Sequence, residues 1–370
     1  MQSKFRVLNE EIYFDSAKES QEYAKNNPGV VVVRNNNANK TSKHPIKKRQ
    51  LLDISPNMIL NYLNKHVVSQ NDAKIDVALS MYYHSLKSKY PRNKNITTNG
   101  PIMMVGPTGS GKTFIVQKAC EYINTVFIHV DTASMVPEGI VGYSISELGK
   151  DILKKANYDM KKASHCVVFF DEIDKLFQKS NGSEITSQLL RLIEGTKLKI
   201  SKDIGAEKIL NKSVNELDTS NMQFILGGAF QWIYDKKEIR KQYSIYYLAN
   251  QELKRDSEIS LEDLYKENIP KELLGRMSSI INLHKLTKDD YYQILINSES
   301  SPLQEFIKKI KFHGDRVDIS DETIKQVASM AEKSELGARG MKHQLKVMFK
   351  DALFMAPEDG IRTHNITITI

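Results

Sequence analysis

The hydrophobic positions of this chain change period several times, and the changes mark its elements. Ile102-Met103-Met104-Val105, Val126 to Asp131, Val167-Val168-Phe169-Phe170 and Phe224-Ile225-Leu226-Gly227-Gly228 are short apolar runs, the mark of strands buried on both faces. Helical spacing takes over between them, as in Phe114, Ile115 and Ala119. Earlier, Ser55-Pro56 sets an N-cap hydroxyl before a proline at the first helical position, and Ile59, Leu60 and Leu63 form that helix's apolar face. A second helix runs through Val77, Leu79 and Tyr83. From about Pro270 the pattern turns helical. Ser320-Asp321 opens one helix with Ile324, Val327 and Ala328, and Arg339 opens another with Leu345, Val347 and Met348. Ile366 to Ile370 alternates at period two and is expected to add an edge strand to that region. Strands alternating with helices predict an α/β fold, a parallel sheet flanked by helices, followed by a smaller, mainly α-helical domain.

The N-terminal stretch stands apart. Phe5 to Leu8, Ile12 to Phe14 and Val30 to Val33 are expected strands, with a helix from Ser16 to Lys25 and a turn at Asn26-Asn27-Pro28-Gly29. So short a chain buries little surface; it carries no recognisable chemistry, its role is unassigned, and a docking arm is one reading of it. The polar segment from Asn35 to Ser42 is of low complexity and is expected to be a linker. The expected organisation is a unit over 1–34, a linker over 35–54, a large α/β domain over 55–269 and a helical domain over 270–370.

Chemistry concentrates at two strand ends. Gly106-Pro107-Thr108-Gly109-Ser110-Gly111-Lys112-Thr113 reads G-x-x-x-x-G-K-T between a strand and a helix, the order that makes the pattern a phosphate site. Its glycines let backbone N–H groups turn toward anionic oxygens, and the helix N-terminus adds partial positive charge. Lys112 is placed to reach the β- and γ-phosphates of ATP, and the Thr113 hydroxyl to ligate Mg²⁺. The second strand end is Asp171-Glu172-Ile173-Asp174. Asp171 is the expected second ligand of Mg²⁺, and Glu172 the group that polarises the attacking water.

Composition narrows the picture without redirecting it. At 370 residues, 40% of them hydrophobic, the chain is long enough for two or three folded domains. The net charge of +8 is mild, and Lys47-Lys48-Arg49 is the densest basic run, so nucleic acid is not an expected partner. Cys120 and Cys166 make neither a zinc site nor a disulfide framework and read as buried thiols. No apolar run approaches the ~20 residues of a membrane span, and the expected location is the cytoplasm.

These motifs occur in a familiar order. Val67-Val68-Ser69-Gln70, Gly106 to Thr113, Asp171 to Lys175, Leu192-Ile193-Glu194-Gly195-Thr196, Gly227-Gly228-Ala229-Phe230, Leu274-Gly275-Arg276 and Gly337-Ala338-Arg339-Gly340 resemble, in sequence and spacing, the ClpX unfoldases of the Clp/Hsp100 branch of AAA+ ATPases. The resemblance covers residues from about 55 to 358. It implies a homo-oligomeric ring, usually a hexamer, with ATP between neighbouring subunits. It implies that Val67 and Val68 line the adenine pocket, that Arg276 is an arginine finger reaching a neighbour's γ-phosphate, and that Arg339 senses nucleotide in its own subunit. A guanidinium suits both arginine posts, being permanently charged and forked.

The departures matter as well. Where ClpX carries Gly-Tyr-Val-Gly in its first pore loop, this chain has Gly139-Ile140-Val141-Gly142 and then Tyr143, so the grip on a polypeptide is either aliphatic or shared with Tyr143. Lys197 to Asp218 stands where a basic pore loop is usual. Between Gly228 and Leu274 no Ile-Gly-Phe-type docking triplet occurs, and Ile245-Tyr246-Tyr247-Leu248 is the nearest apolar candidate. The resulting expectation is an ATP-driven protein unfoldase or remodelling ATPase, reaching protein substrates directly or through an adaptor, without a ClpP-type peptidase. The alternatives are a protease ATPase subunit docking its peptidase through an unrecognised loop, and a ring ATPase acting on nucleic acid.

Overall fold

The computed structural model describes residues 5–7, 13–14, 17–26, 32–34 and 54–370, apart from 92, 94–95, 97–99, 141, 180–181, 200–215, 245–257, 268, 335–336, 359–362 and 367–370. It divides into two compact units, Met1–Leu51 and Leu52–Ile370. In the first, β1 (Phe5–Val7) is the middle strand of an antiparallel sheet between β2 (Tyr13–Phe14) and β3 (Val32–Arg34), and the helix Ala17–Asn26 lies against it.

The second unit is built on five parallel strands: β4 (Ile102–Val105), β5 (Phe127–Asp131), β6 (Val167–Asp171), β9 (Gln223–Gly228) and β10 (Ser279–Asn282). A separate antiparallel pair, β7 (Lys197–Lys199) and β8 (Glu216–Asp218), comes between β6 and β9 in the chain. The main sheet's order is β10-β4-β9-β6-β5, with every pairing parallel. Side chains alternate across it. Met103, Val105, Val168, Phe170, Phe224 and Leu226 enter one core, and Ile102, Met104, Val167, Phe169 and Ile225 enter the other. Helices Pro56–His66, Asn71–Lys89 and Lys112–Ile123 supply the second core, and helices that include Ile145–Lys155 and Gly182–Glu194 supply the first. Burial on both faces accounts for the unbroken apolar runs of these strands.

Two helix starts fall where the sequence puts them. Ser55 Oγ accepts from the Met58 N–H at 3.2 Å, ahead of Pro56, and Ser320 Oγ accepts from the Thr323 N–H at 3.1 Å. Apolar position proves a weaker guide to burial. Leu79 and Tyr83 are exposed, because Asn71–Lys89 turns Ala73, Val77, Ala78 and Met81 inward. Val347 likewise faces solvent.

The sheet extends past the boundary expected near residue 270, since β10 pairs with β4 from Ser279 to Asn282. A third core, from Leu286 to Ala356, follows it. The helices around that core include Lys288–Ile296, Pro302–Phe312, Asp321–Lys333 and Ala338–Met348. Beyond this core β12 (Thr363–Ile366) pairs in parallel with β11 (Arg316–Ile319) as a two-stranded sheet; of the period-two segment from Ile366 to Ile370 only Ile366 belongs to β12, and residues 367–370 lie outside the described residues.

Strand β9 lies between the strands that carry the two chemical motifs, and its exit must be slim. A Cβ on Gly227 would come within 2.4 Å of Phe169 Cζ, and Phe169 is fully buried. Gly227→Ala is therefore expected to lower the unfolding free energy by about 1–3 kcal/mol, the usual cost of overpacking a filled core. Urea denaturation reads this directly, and an unchanged midpoint would show that the ring has room to move.

Candidate functional site

The glycine loop leaves the C-terminal end of β4 at the point where strand order reverses, with β9 and then β6 on one side and β10 on the other. Gly109 (φ 79°) and Gly111 (φ 99°) hold left-handed backbone, open to glycine at no steric cost. Gly106 is needed for a different reason: a Cβ there would lie 2.6 Å from the Leu283 carbonyl oxygen. Thr108 is exposed on the loop, whereas Ser110 is buried with an unpartnered Oγ. Lys112 folds back, its Nζ donating to the carbonyls of Gly106 (2.5 Å) and Pro107 (3.0 Å). Burial holds its pKa below the ordinary lysine value, with Arg339 adding to the effect and Asp171, Asp174 and Glu172 opposing it. A buried, under-partnered ammonium beside left-handed glycines fits a phosphate chain.

Across β9, Asp171 ends β6. Its Oδ2 accepts from Thr113 Oγ1 at 3.0 Å, and its Oδ1 accepts from the Glu172 N–H at 2.9 Å. His129 Nε2, on β5, lies 3.1 Å from the same Oδ2. Burial pushes the Asp171 carboxyl up, but the bonds from His129, Thr113 and the Glu172 N–H outweigh it and leave the pKa below the usual carboxylate range. Thr113 and Asp171 thus present hard oxygen donors side by side, the donor set of Mg²⁺. Glu172 takes a left-handed φ of 57°, a conformation that costs a non-glycine residue about 1–3 kcal/mol and tends to persist at functional sites. Its carboxylate is exposed and paired with Lys175 at 2.7 Å. Asp174, by contrast, is buried and accepts from the Phe230 N–H at 3.0 Å, tying the exit of β9 to the helix Ile173–Leu176.

A cleft of about 1000 Å³ opens beside the loop, lined by Gln70, Asp76, Pro107 to Ser110, Asn282 to Leu286, Tyr291 and Gly337. Gln70 bridges its floor. The side-chain N–H groups donate to the carbonyls of Ser110 (3.3 Å) and His284 (2.7 Å), and its carbonyl accepts from the His284 N–H (3.2 Å). Val67 and Val68, expected at the adenine, do not line this cleft. Val67 is buried just before Gln70, and its carbonyl accepts from the buried Lys74 Nζ at 3.1 Å. On the far wall, Gly337 (φ 55°) approaches so closely that a Cβ would lie 3.1 Å from Gly109 Cα. Arg339, two residues on, is exposed in the first turn of Ala338–Met348, near enough for its charge to act on Lys112.

Arg276 is elsewhere. Ser278 N–H donates to the Pro101 carbonyl, which places this segment at the N-terminal edge of β4, opposite the glycine loop. At ~3.3 Å per residue the loop lies on the order of 20 Å away along the strand, and Arg276 instead pairs with Glu194. Tyr143 is also committed. It is half-buried, and its hydroxyl donates to Asp151 Oδ2 at 3.1 Å, so the shared-grip alternative loses its aromatic. Ile140 is the exposed apolar side chain of that loop, and Val141, most of the 197–218 segment and Ile245 to Leu248 lie outside the described residues.

Sequence reasoning missed three contributors: His129, Gln70 as a clamp, and Lys74. For His129 the signal was a polar residue interrupting an apolar strand, between Ile128 and Val130; Gln70 and Lys74 lie in the polar stretch from Ser69 and gave none. The thiols read as expected, both buried and free, with burial pushing Cys166 up to about 12. Among the described residues no helix is long and apolar enough to cross a membrane.

Comparison with known proteins agrees with this geometry. Residues 97–280 match the AAA domain (Cdc48 subfamily) family. The ATP-dependent Clp protease ATP-binding subunit ClpX of Treponema denticola is 28% identical over 324 residues, covering 82% of this chain and 77% of that protein. Subunit ClpX 2 of Wolinella succinogenes is 28% identical over 82% of this chain and 78% of its own length. The Bacteroides fragilis subunit is 26% identical over 85% and 80%. The protein is thus a AAA+ ATPase, a nucleotide-binding ATP hydrolase with a parallel sheet flanked by helices. Within that class it belongs to the ClpX-like members of the Clp/Hsp100 branch. The same comparison corrects one expectation. Each of these relatives is named as the ATP-binding subunit of a Clp protease, so a missing docking triplet is no ground for excluding a ClpP-type peptidase.

The Gln70 clamp makes a prediction. Gln70→Ala removes three hydrogen bonds that join the helix Asn71–Lys89, the glycine loop and the strand exit after β10. At about 1 kcal/mol each, stability should fall by about 2–3 kcal/mol. Thermal unfolding checks this, and ADP affinity should weaken with it, because the Ser110 carbonyl loses its restraint.

Proposed function

We propose that this chain is the ATP-driven unfolding subunit of a Clp-type protease, acting as a ring, usually a hexamer, that pulls on protein substrates in the cytoplasm. The observation that carries the reading is the convergence of Lys112, Thr113 and Asp171 in one chain, with Arg276 turned away to the opposite edge of the same sheet. In this reading the N–H groups of the loop from Gly106 to Gly111, including those of Thr108, Gly109 and Ser110, cradle the phosphates, and Lys112 neutralises them. Thr113 and Asp171 would hold Mg²⁺, which when bound would neutralise phosphate charge. Glu172 exchanges Lys175 for the attacking water and accepts its proton. Arg339, from across the cleft, stabilises phosphate charge within the subunit, while Arg276 serves the neighbour's site. Val67 and Val68 contribute to the adenine end, where Lys74 fixes the Val67 carbonyl. The domain boundary belongs after β10, near residue 284, where the sheet ends and the third core begins.

The relatives' names support the peptidase partnership, and the pore loop supports the pulling. Ile140, between Gly139 (φ 90°) and Gly142 (φ 150°), presents an exposed aliphatic side chain. The decisive experiment supplies ATP, a tagged fluorescent protein and a ClpP-type peptidase. Loss of fluorescence without peptidase and degradation with it are expected. ATP turnover stimulated by DNA but not by unfolded protein would overturn the reading.

Two variants test the chemistry. Glu172→Gln is expected to keep ATP affinity while turnover falls by about two orders of magnitude or more, as for loss of a positioned base. Lys112→Ala should instead weaken binding itself. Filter binding and phosphate release separate the two, and parental turnover in Glu172→Gln would remove Glu172 from its post.

Arg276 is expected to act between subunits. Mixing Arg276→Ala with Glu172→Gln chains should recover turnover at interfaces where an intact arginine meets an intact Glu172. Mixed rings, verified by mass, that stay inactive at every ratio would refute the assignment.

A further inference from the structure

We propose that Tyr291 binds the nucleotide directly, its hydroxyl donating a hydrogen bond to a phosphate oxygen of ADP or ATP held on the glycine loop. The inference rests on the reading of the cleft as the nucleotide site.

The sequence sets this tyrosine in the first turns of the helix Lys288–Ile296. A capping box holds that helix start: Thr287 Oγ1 accepts from the Asp290 N–H, and Asp290 Oδ2 accepts from the Thr287 N–H. The ring belongs to the third core, together with Leu295, Ala328 and Ala331. Tyr291 is only 3% exposed, yet it lines the cleft. The glycine opposite shows where its tip lies. A Cβ on Gly337 would come within 3.3 Å of the Tyr291 hydroxyl and 3.1 Å of Gly109 Cα. One residue without a side chain thus stands between the hydroxyl and the loop.

The hydroxyl calls for a partner. Among the described residues no group hydrogen-bonds to it. A phenylalanine would fill the core as well, and a tyrosine buried to this degree ordinarily finds a partner for its O–H. Burial, with Glu332 and Asp290 adding to it, raises the pKa of the phenol, so the group keeps its proton and donates. The element nearest across Gly337 is Gly109, whose left-handed backbone belongs to the phosphate cradle. Phosphate oxygens only accept, which matches a protonated phenol. Because Tyr291 belongs to the third core and Gly109 to the loop after β4, such a bond joins the two walls through the ligand.

The test measures ADP affinity of the full chain by calorimetry. Tyr291→Phe deletes the hydroxyl and keeps the ring. The nucleotide-free variant should melt as the parent does, while ADP binds about tenfold more weakly, the scale of a hydrogen bond to a charged group. The dideoxy analogue of ADP, which lacks both ribose hydroxyls, should lose the same factor. A ring-fluorinated tyrosine in place of Tyr291, whose hydroxyl ionises more readily, adds a readout that packing does not move. Its ADP affinity should fall with rising pH, as a phenolate comes to face phosphate, over a range where the parent's affinity holds. Should Tyr291→Phe melt lower than the parent, the fluorinated chain decides. ADP affinity unchanged in Tyr291→Phe, a loss that vanishes with the dideoxy analogue, or a fluorinated chain with the parent's pH profile would each overturn the inference and leave the site reading standing. Parent ADP binding that is insensitive to Lys112→Ala would overturn the site reading, and this inference with it.

Discussion

The Asp171 carboxylate is the constraint on which the rest of the site depends. Its strand is separated from the glycine loop by a whole strand, β9, yet its Oδ2 meets Thr113 at hydrogen-bond distance. That reach works only because β9 ends in Gly227-Gly228, where any side chain would strike Phe169, Phe230 or the Asp174 carboxylate. The Thr132 hydroxyl then fixes the Asp171 carbonyl at 2.7 Å, and the Glu172 N–H closes on the other carboxylate oxygen. Three consecutive strands and the first turn after β5 therefore set the position of one side chain. Its bonds outweigh the burial that would otherwise protonate it, so it stays ionised where a cation needs it.

A second level of order joins the sheet to the helical core beyond it. Gln70 grips the glycine loop and the strand exit at His284 together, and Gly337 presses against Gly109 from the other side of the cleft. The loop thus touches both walls, one through the Gln70 side chain bonded to its backbone and the other through the backbone of Gly337. A change in the angle between the walls would move Arg339 relative to Lys112, whose buried ammonium already feels that charge. This gives a physical route by which nucleotide in the cleft can be felt by the third core.

Much of this was legible in the sequence, and the reason is local. A glycine loop, an N-cap serine before proline and an apolar run ending in Asp171-Glu172 each encode their geometry within a few residues. The main strands, the capped helix starts at Ser55 and Ser320, and the pairing of Thr113 with Asp171 all followed from such signals. What did not follow depends on residues distant in the chain. Whether Leu79 and Tyr83 face the core is decided by what lies opposite them. The sheet's last strand, β10, is short, with only Ile280 and Ile281 apolar between Ser279 and Asn282, so the helical pattern around it masked it. His129 was read as one more strand residue because its partner sits on the adjacent strand. Gln70 appeared as part of a motif, but its three bonds could not be guessed from that motif's spelling.

Arg276 lies at the edge of the sheet away from the glycine loop of its own chain. Its partner here is Glu194, at the end of the helix Gly182–Glu194, and both side chains are about two-fifths exposed. A pair so open to solvent contributes only about 0–1 kcal/mol, so a neighbouring subunit can draw the guanidinium away with little opposition. A triphosphate offers several anionic oxygens in a drier setting, where forked hydrogen bonds are worth more. On the proposed role between subunits, exchange of this weak partner for a strong one would couple assembly to nucleotide state, with Glu194 holding the arginine until a phosphate draws it away.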